Sequence, residues 1–301
     1  MGRRFEPDGA HMLTLAEVHK SGDYLTHEKL WVQALRAPSI EYRNGYFLLK
    51  NGRWRGFDWE DVRGQSLAGK VLVIGHSDDD VTSENVADIV SASNPQWIFA
   101  TNLTTEAKEN PRVRDLPLGI PNDERHSKTH IIQADDTLLR KAWLKSKAPQ
   151  DLKDVVIYAN FSVRNNREAR GPALDAVSAV SGARIGEFVL SKKGRLRDHI
   201  AMRESGLVLC PRGNGMDTHR FWECLLLGAI PVVLESDHCA RLAREMKLPV
   251  VTIKDWSDLR DRDSLVEQLA SIRSKTWDMT TLTASYWRAE ILRHVEAPNT
   301  S

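Results

Sequence analysis

The stretch Ser205-Gly-Leu-Val-Leu-Cys-Pro-Arg-Gly-Asn-Gly-Met-Asp-Thr-His-Arg-Phe-Trp-Glu-Cys-Leu-Leu-Leu-Gly-Ala-Ile-Pro-Val-Val-Leu234 decides the architecture. Leu207–Cys210 is an unbroken apolar run of strand length, as expected of a strand buried on both faces. A loop with Gly213 and Gly215 follows, and Asp217 or Thr218 stands where a helix cap belongs. The helix stops at Gly228, and Ile230–Leu234 supplies the next strand. Strand, helix and strand in close succession imply parallel pairing, because the helix carries the chain back to start a second strand in the same direction.

Working outward, the same alternation recurs on both sides. Strands are expected at Val155–Ala159, Ala183–Phe188 and Val250–Ile253 after a polar, proline-containing stretch, Ser146–Asp154, which suits a linker. Before it, strands are expected at Val71–Ile74, Trp97–Ala100 and Leu116–Leu118, with a helix at Glu84–Ala92. The pairs Asn44-Gly45 and Asn51-Gly52 around Tyr46–Lys50 suggest a hairpin. The fold class is therefore α/β, with two Rossmann-like units of parallel sheet. The first unit spans 13–148 and the second 149–281; residues 1–12 read as a tail appended in cloning. A last segment, 282–301, holds a helix whose Leu282, Tyr286, Ile291 and Leu292 need a partner surface, and packing back on the first unit would supply one.

Composition narrows the classes. The chain has 301 residues, 41% of them hydrophobic, enough for a substantial core. At 28% charged residues it has no apolar run of membrane-spanning length. Its net charge of +1 leaves no global field for nucleic acid, so nucleic acid is not an expected partner and any anion site is local. Three cysteines without CxxC spacing argue against a disulfide framework and a zinc site. The expected compartment is the cytoplasm.

Within the quoted stretch, Gly213, Asn214 and Gly215 allow the backbone to approach a ligand. The N–H groups at the helix start, around Thr218 and His219, favour a phosphate there. Arg212 and Arg220 bracket that start, and Glu223 is placed to accept from ribose hydroxyls. Arg164 and Arg167 follow the strand Val155–Ala159 and can reach the same anion; Arg170, three residues on, reads equally as a helix-face charge. In the first unit, Asp78-Asp79-Asp80 follows a strand. These carboxylates could serve as a base facing a cleft, ligate a hard cation, or cap a helix. His76 is either a base or a satisfied cleft histidine. Asn102 and Asn122 could bond sugar hydroxyls or form turns. His126 and His130 have no third ligand at a recognisable distance, and Lys192, Lys193, Arg195 and Arg197 read as a solvated cluster with some capacity for a lipid surface.

The run SGLVLCPRGNG (205–215), the Thr218-His219-Arg220 start with Glu223, and LLLGAIPVVL (225–234) together resemble the carboxy-terminal donor domain of exostosin-like glycosyltransferases. The resemblance extends to ANFSVRNNREAR (159–170), and GHSDDD (75–80), FATNL (99–103) and LPLGIPN (116–122) resemble motifs of bacterial and viral members. It implies the GT-B architecture, two Rossmann-like domains facing across a cleft. It implies a nucleotide-sugar donor, UDP favoured, bound by Arg164, Arg167, Arg212, Gly213, Asn214, Gly215, Thr218, His219, Arg220 and Glu223. The acceptor would be a glycan or glycolipid, and the protein could sit at the inner membrane face. The expected transfer is inverting, with Asp78 as base ahead of His76 and Asp80, and with neither divalent metal nor other cofactor. Two other classes fit the residues: a non-catalytic nucleotide- or glycan-binding module, and a metal-dependent GT-A transferase using Asp78 and Asp80.

Overall fold

The computed structural model describes residues 12–34, 38–44, 47, 48, 54, 55, 62, 65–75, 77–121, 132–187, 189 and 191–296. Its first half runs α1 (Leu15–Ser21), α2 (His27–Ala34), β1 (Ile40–Asn44), β2 (Phe47–Leu48), β3 (Trp54–Arg55), β4 (Val71–Gly75), α3 (Ser83–Ser93), β5 (Trp97–Ala100), β6 (Val113–Asp115) and α4 (Asp136–Lys145). The second runs β7 (Val156–Ala159), α5 (Arg167–Ser178), β8 (Arg184–Ile185), α6 (Lys192–Ser205), β9 (Gly206–Leu209), α7 (His219–Leu226), β10 (Ile230–Leu234), α8 (His238–Met246), β11 (Val251–Ile253), α9 (Arg262–Arg273) and α10 (Ala284–Glu296).

Strand β4 shows why the apolar runs are continuous. Leu72 and Ile74 pack on one side with Val86 and Ile89 of α3, while Val71 and Val73 pack on the other with Phe99, Leu116, Trp287 and Ile291. With both faces covered, no position is left for a polar side chain. The first sheet is parallel, in the order β1-β4-β5-β6, with Val71 opposite Trp97 and Ile98 opposite Val113. The second is also parallel, in the order β11-β10-β9-β7-β8. These are the two Rossmann-like sheets expected from the pattern. A separate antiparallel pair, β2 with β3, lies where the hairpin is expected; its connecting residues 49–53 are outside the described ones.

Some elements differ from the sequence reading. The third strand of the first sheet is Val113–Asp115 instead of Leu116–Leu118. Leu116 gives its N–H to Ala100 as the last ladder bond, and Pro117 has no N–H with which to continue. The segment Leu116–Gly119 leaves the sheet instead and meets the second half. Strand β8 is confined to Arg184–Ile185, an exposed edge, and β1 was not foreseen.

Packing crosses the 148/149 boundary in both directions. Trp287 and Ile291 of α10 cover the first sheet. Val18 of α1 and Leu139 and Ala142 of α4 join the core beneath the second sheet, with Met202, Phe221 and Trp222. His19 reinforces this: its Nε2 donates to the Leu226 carbonyl at 2.7 Å, so its Nδ1 accepts from the Tyr24 hydroxyl, also at 2.7 Å. Cys210, Cys224 and Cys239 are buried free thiols. Among the described residues no helix is long and apolar enough to cross a membrane.

Candidate active site

In the second sheet the chain starts at β7, adds β8 on one side, then returns to place β9 on the other. The crevice beyond the carboxyl ends of β7 and β9 is therefore a topological switch point, where open parallel sheets bind ligands. Residues 210–218 leave β9 into that crevice. Asn166, the N-cap of α5, donates from Nδ2 to the Gly213 carbonyl at 2.7 Å. Arg170, one turn along α5, donates from Nε to the Arg212 carbonyl and from Nη1 to the Ser162 carbonyl, both at 3.0 Å. Held by neutral carbonyls and 8% exposed, its guanidinium is pulled down to about 10 by burial, with Arg220 adding repulsion.

The carboxyl ends of the first sheet close the crevice from above. Ser77 and Asp78 follow β4, Asn102 follows β5, and Leu118 and Gly119 follow β6. Asn214 donates to Asp78 Oδ2 at 3.2 Å, and His219 Nδ1 lies 2.8 Å from the Gly119 carbonyl, which can only accept, so that nitrogen carries the proton. Asp217 is the buried hub between the halves. Its carboxylate accepts from the Leu118 N–H (2.8 Å), the Thr218 N–H (2.6 Å) and Trp222 Nε1 (2.8 Å), while its own N–H donates to Asn102 Oδ1 at 2.7 Å. Asn102, in the left-handed region at φ 51°, passes the link to the Ser77 carbonyl. Burial pushes the Asp217 carboxyl up to about 6, against the pull of these donors.

Two glycines are required by this approach. A Cβ on Gly215 would sit 2.8 Å from Asn102 Nδ2 and 3.2 Å from the Asp78 Cα; one on Gly119, at φ 67°, would sit 2.4 Å from the Leu25 carbonyl. What remains between the halves is a cleft of ≈ 160 Å³. Its lining includes Asp78, Asn165, Arg170, Gly213, Asn214, Gly215, Thr218 and His219.

The structure thus brings Asp78, Gly213, Asn214, Gly215, Thr218 and His219 together, and it separates the other sequence-derived candidates from them. Arg220 turns away from the helix start: its Nη2 lies 3.7 Å from Asp198 and its Nη1 3.6 Å from Met202 Sδ. Glu223, 2% exposed, is ion-paired with Arg195 within the second half, so it does not present a carboxylate to the cleft. Burial raises its pKa, with Arg195 and Arg220 opposing. Arg212 bonds back to the Asn214 carbonyl at 3.3 Å, outside the lining. Arg164 and Arg167 are exposed beside Asn165. Asp80 is exposed and does not line the cleft, and His76, Asn122, His126 and His130 lie outside the described residues. Asn102 bridges the halves rather than facing a sugar. Arg170, which the sequence leaves equally open as a helix-face charge, is the arginine that lines the cleft, and on α5 it shares the buried stripe with Ala173 and Val177.

Two Rossmann-like sheets meeting at their carboxyl ends, with a glycine loop, a buried arginine and a carboxylate lining the cleft between them, define an α/β protein with a candidate site between its halves. Residues 191–287, from the start of α6 into α10, match the family model described as the RXYLT1 C-terminal domain. That match points to a glycosyltransferase in general terms. No curated protein matches the chain.

Proposed function

We propose that the chain is an inverting, nucleotide-sugar-dependent glycosyltransferase of the GT-B type, with the donor diphosphate on the 213–219 loop and the acceptor over the first sheet. The observation that carries this reading is the cleft itself. It sets a buried arginine, two glycines and a helix start from one half against the Asp78 carboxylate from the other. In the reaction, Asp78 takes the proton of an acceptor hydroxyl as its oxygen attacks the anomeric carbon. The bond from that carbon to the diphosphate breaks, and the negative charge gained by the leaving group rests on Arg170 and the N–H groups at the start of α7. Arg170 performs in this scheme the charge neutralisation that a divalent metal performs elsewhere, so no metal is required. A UDP-sugar is the donor first to be tried, and a glycan or glycolipid the acceptor.

At ≈ 160 Å³ the cleft is smaller than the roughly 300–1,000 Å³ of small-molecule sites. It suits the diphosphate, and the rest of the donor enters when the Asn214–Asp78 bond parts. Calorimetry with UDP, GDP, CDP and dTDP tests the assignment. Arg170→Ala is expected to weaken binding of the preferred diphosphate by about 1.5–3 kcal/mol, the range for hydrogen bonds to a charged group. Asp78→Asn is expected to keep that binding and to lower turnover by ~10² or more. Unchanged diphosphate affinity in Arg170→Ala would overturn the donor site, and normal turnover in Asp78→Asn would overturn the base.

A further inference from the structure

Helices α4 and α6 lie side by side and run the same way. Lys192 at the start of α6 reaches Asp135 at the start of α4 at 2.9 Å, and Arg203 near the end of α6 donates to the Ser146 carbonyl at the end of α4 at 3.1 Å. Helix α4 turns Leu138, Leu139 and Ala142 inward. The opposite stripe, Thr137, Arg140, Lys141, Leu144 and Lys145, is exposed at every position, and Leu144 stands 74% exposed in its middle. A single exposed leucine is ordinary on a protein surface. This one stands among Arg140, Lys141, Lys145 and Lys147, and exposed Lys193 and Arg197 on α6 extend the positive surface toward the start of both helices.

The cations are not spent on neighbouring acids. The two aspartates that open α4 are taken by others, Asp135 by Lys192 and Asp136 by Lys29 at 3.9 Å. Among the described residues, no ion pair engages Arg140, Lys141, Lys145, Lys147, Lys193 or Arg197. In a chain of net charge +1 this is a local concentration of positive charge. Of the basic cluster read from the sequence, Lys192 and Arg195 are internally paired, so it is α4 that supplies most of the face.

We propose that the α4–α6 face docks on an anionic lipid surface, with Leu144 entering the headgroup boundary and the lysines and arginines meeting lipid phosphates. Charge complementarity argues for a polyanion, and the central leucine selects a bilayer among polyanions, since an apolar side chain gains there and not on a phosphate backbone. The stripe carries no aromatic side chain on which bases could stack. The face also begins at the cleft end of the second sheet, because α6 runs back from there to the start of β9.

Flotation of the full chain with vesicles tests this at low and physiological salt, using phosphatidylcholine alone and phosphatidylcholine with about a third phosphatidylglycerol. The expected result is binding to the second vesicle and not the first. K141E/K145E should reduce partitioning more than ~25-fold, each surface cation being worth about fivefold. L144S, at unchanged charge, should reduce it about threefold to tenfold. All three substituted side chains are exposed, so thermal melts should match the parent. Absence of binding, or indifference to K141E/K145E, overturns the proposal. So does parental binding by L144S together with equal retention on an anionic oligonucleotide, which would mark a general polyanion surface. None of these readouts depends on glycosyl transfer.

Discussion

Asp217 carries an acidic group through the middle of the molecule, and its titration should be visible in stability. Its carboxyl is raised to about 6 by burial, so between the ordinary carboxylate pKa near 4 and about 6 the folded chain holds a proton that the unfolded chain has lost. The stabilisation from this group is complete below about 4 and fades as pH rises through about 6, by on the order of 3 kcal/mol. Asp217→Asn removes that slope, and urea denaturation of both chains from pH 4 to 7 should show their difference changing across this window. A flat difference would mean that Asp217 is ionised throughout. His19 acts in the opposite sense. Burial lowers it to about 4, so its contribution is present above about 6.5 and is lost as pH falls through about 4.

At the scale of elements, α8 is fastened to the first sheet by Arg241, whose guanidinium meets both Asp115 oxygens at 2.7 and 2.8 Å and also donates to the Leu103 carbonyl. Burial alone would raise the Asp115 pKa, but Arg241 and Lys108 outweigh it and hold the carboxyl below its ordinary range. Arg241→Met keeps the stem and removes the fork; the expected cost is about 1.5–3 kcal/mol in denaturant midpoint, since Lys108 remains 2.8 Å from Asp115. No change in midpoint would reduce the bridge to a surface contact. The elements legible in the sequence share one property, that burial on both faces writes an unbroken apolar run. That is true of β4, β5, β9 and β10. Strand β1 was not legible because Ile40-Glu-Tyr-Arg-Asn44 alternates as a half-covered edge does, and β6 because its pairing residues precede the more apolar Leu116 and Leu118. In the site, glycines marked the loop, since close approach needs them whatever the ligand. Which arginine faces it was not legible. Arg220 is nearer in sequence, but Asp198, from a helix distant in the chain, draws it aside.

The whole molecule is stitched from both directions. Residues 13–25 pair with 278–285: Met279 donates to the Leu13 carbonyl, Leu25 to the Leu282 carbonyl, and Tyr24 bridges Thr283. Removal of 284–296 would uncover Val71, Val73 and Phe99 by withdrawing Trp287 and Ile291, at a cost of about 3–6 kcal/mol for two large side chains. We expect the full chain to unfold in one transition by near- and far-ultraviolet circular dichroism. The shortened chain should bind a hydrophobic dye and lose near-ultraviolet signal first. Retention of a sharp, coincident transition after the deletion would show that α10 is dispensable for the first sheet.

The placement of α10 also sets an order of events during synthesis. The strands of the first sheet leave the ribosome early, yet one face of that sheet, with Leu25 and Leu30 against it, lacks the rest of its cover until residues 284–296 have followed, after every strand of the second sheet. Through that interval Val71, Val73 and Phe99 lack the cover of Trp287 and Ile291 and are more open to any other nascent chain nearby. A chaperone that holds apolar strands has its longest opportunity on the half of the protein that was made first.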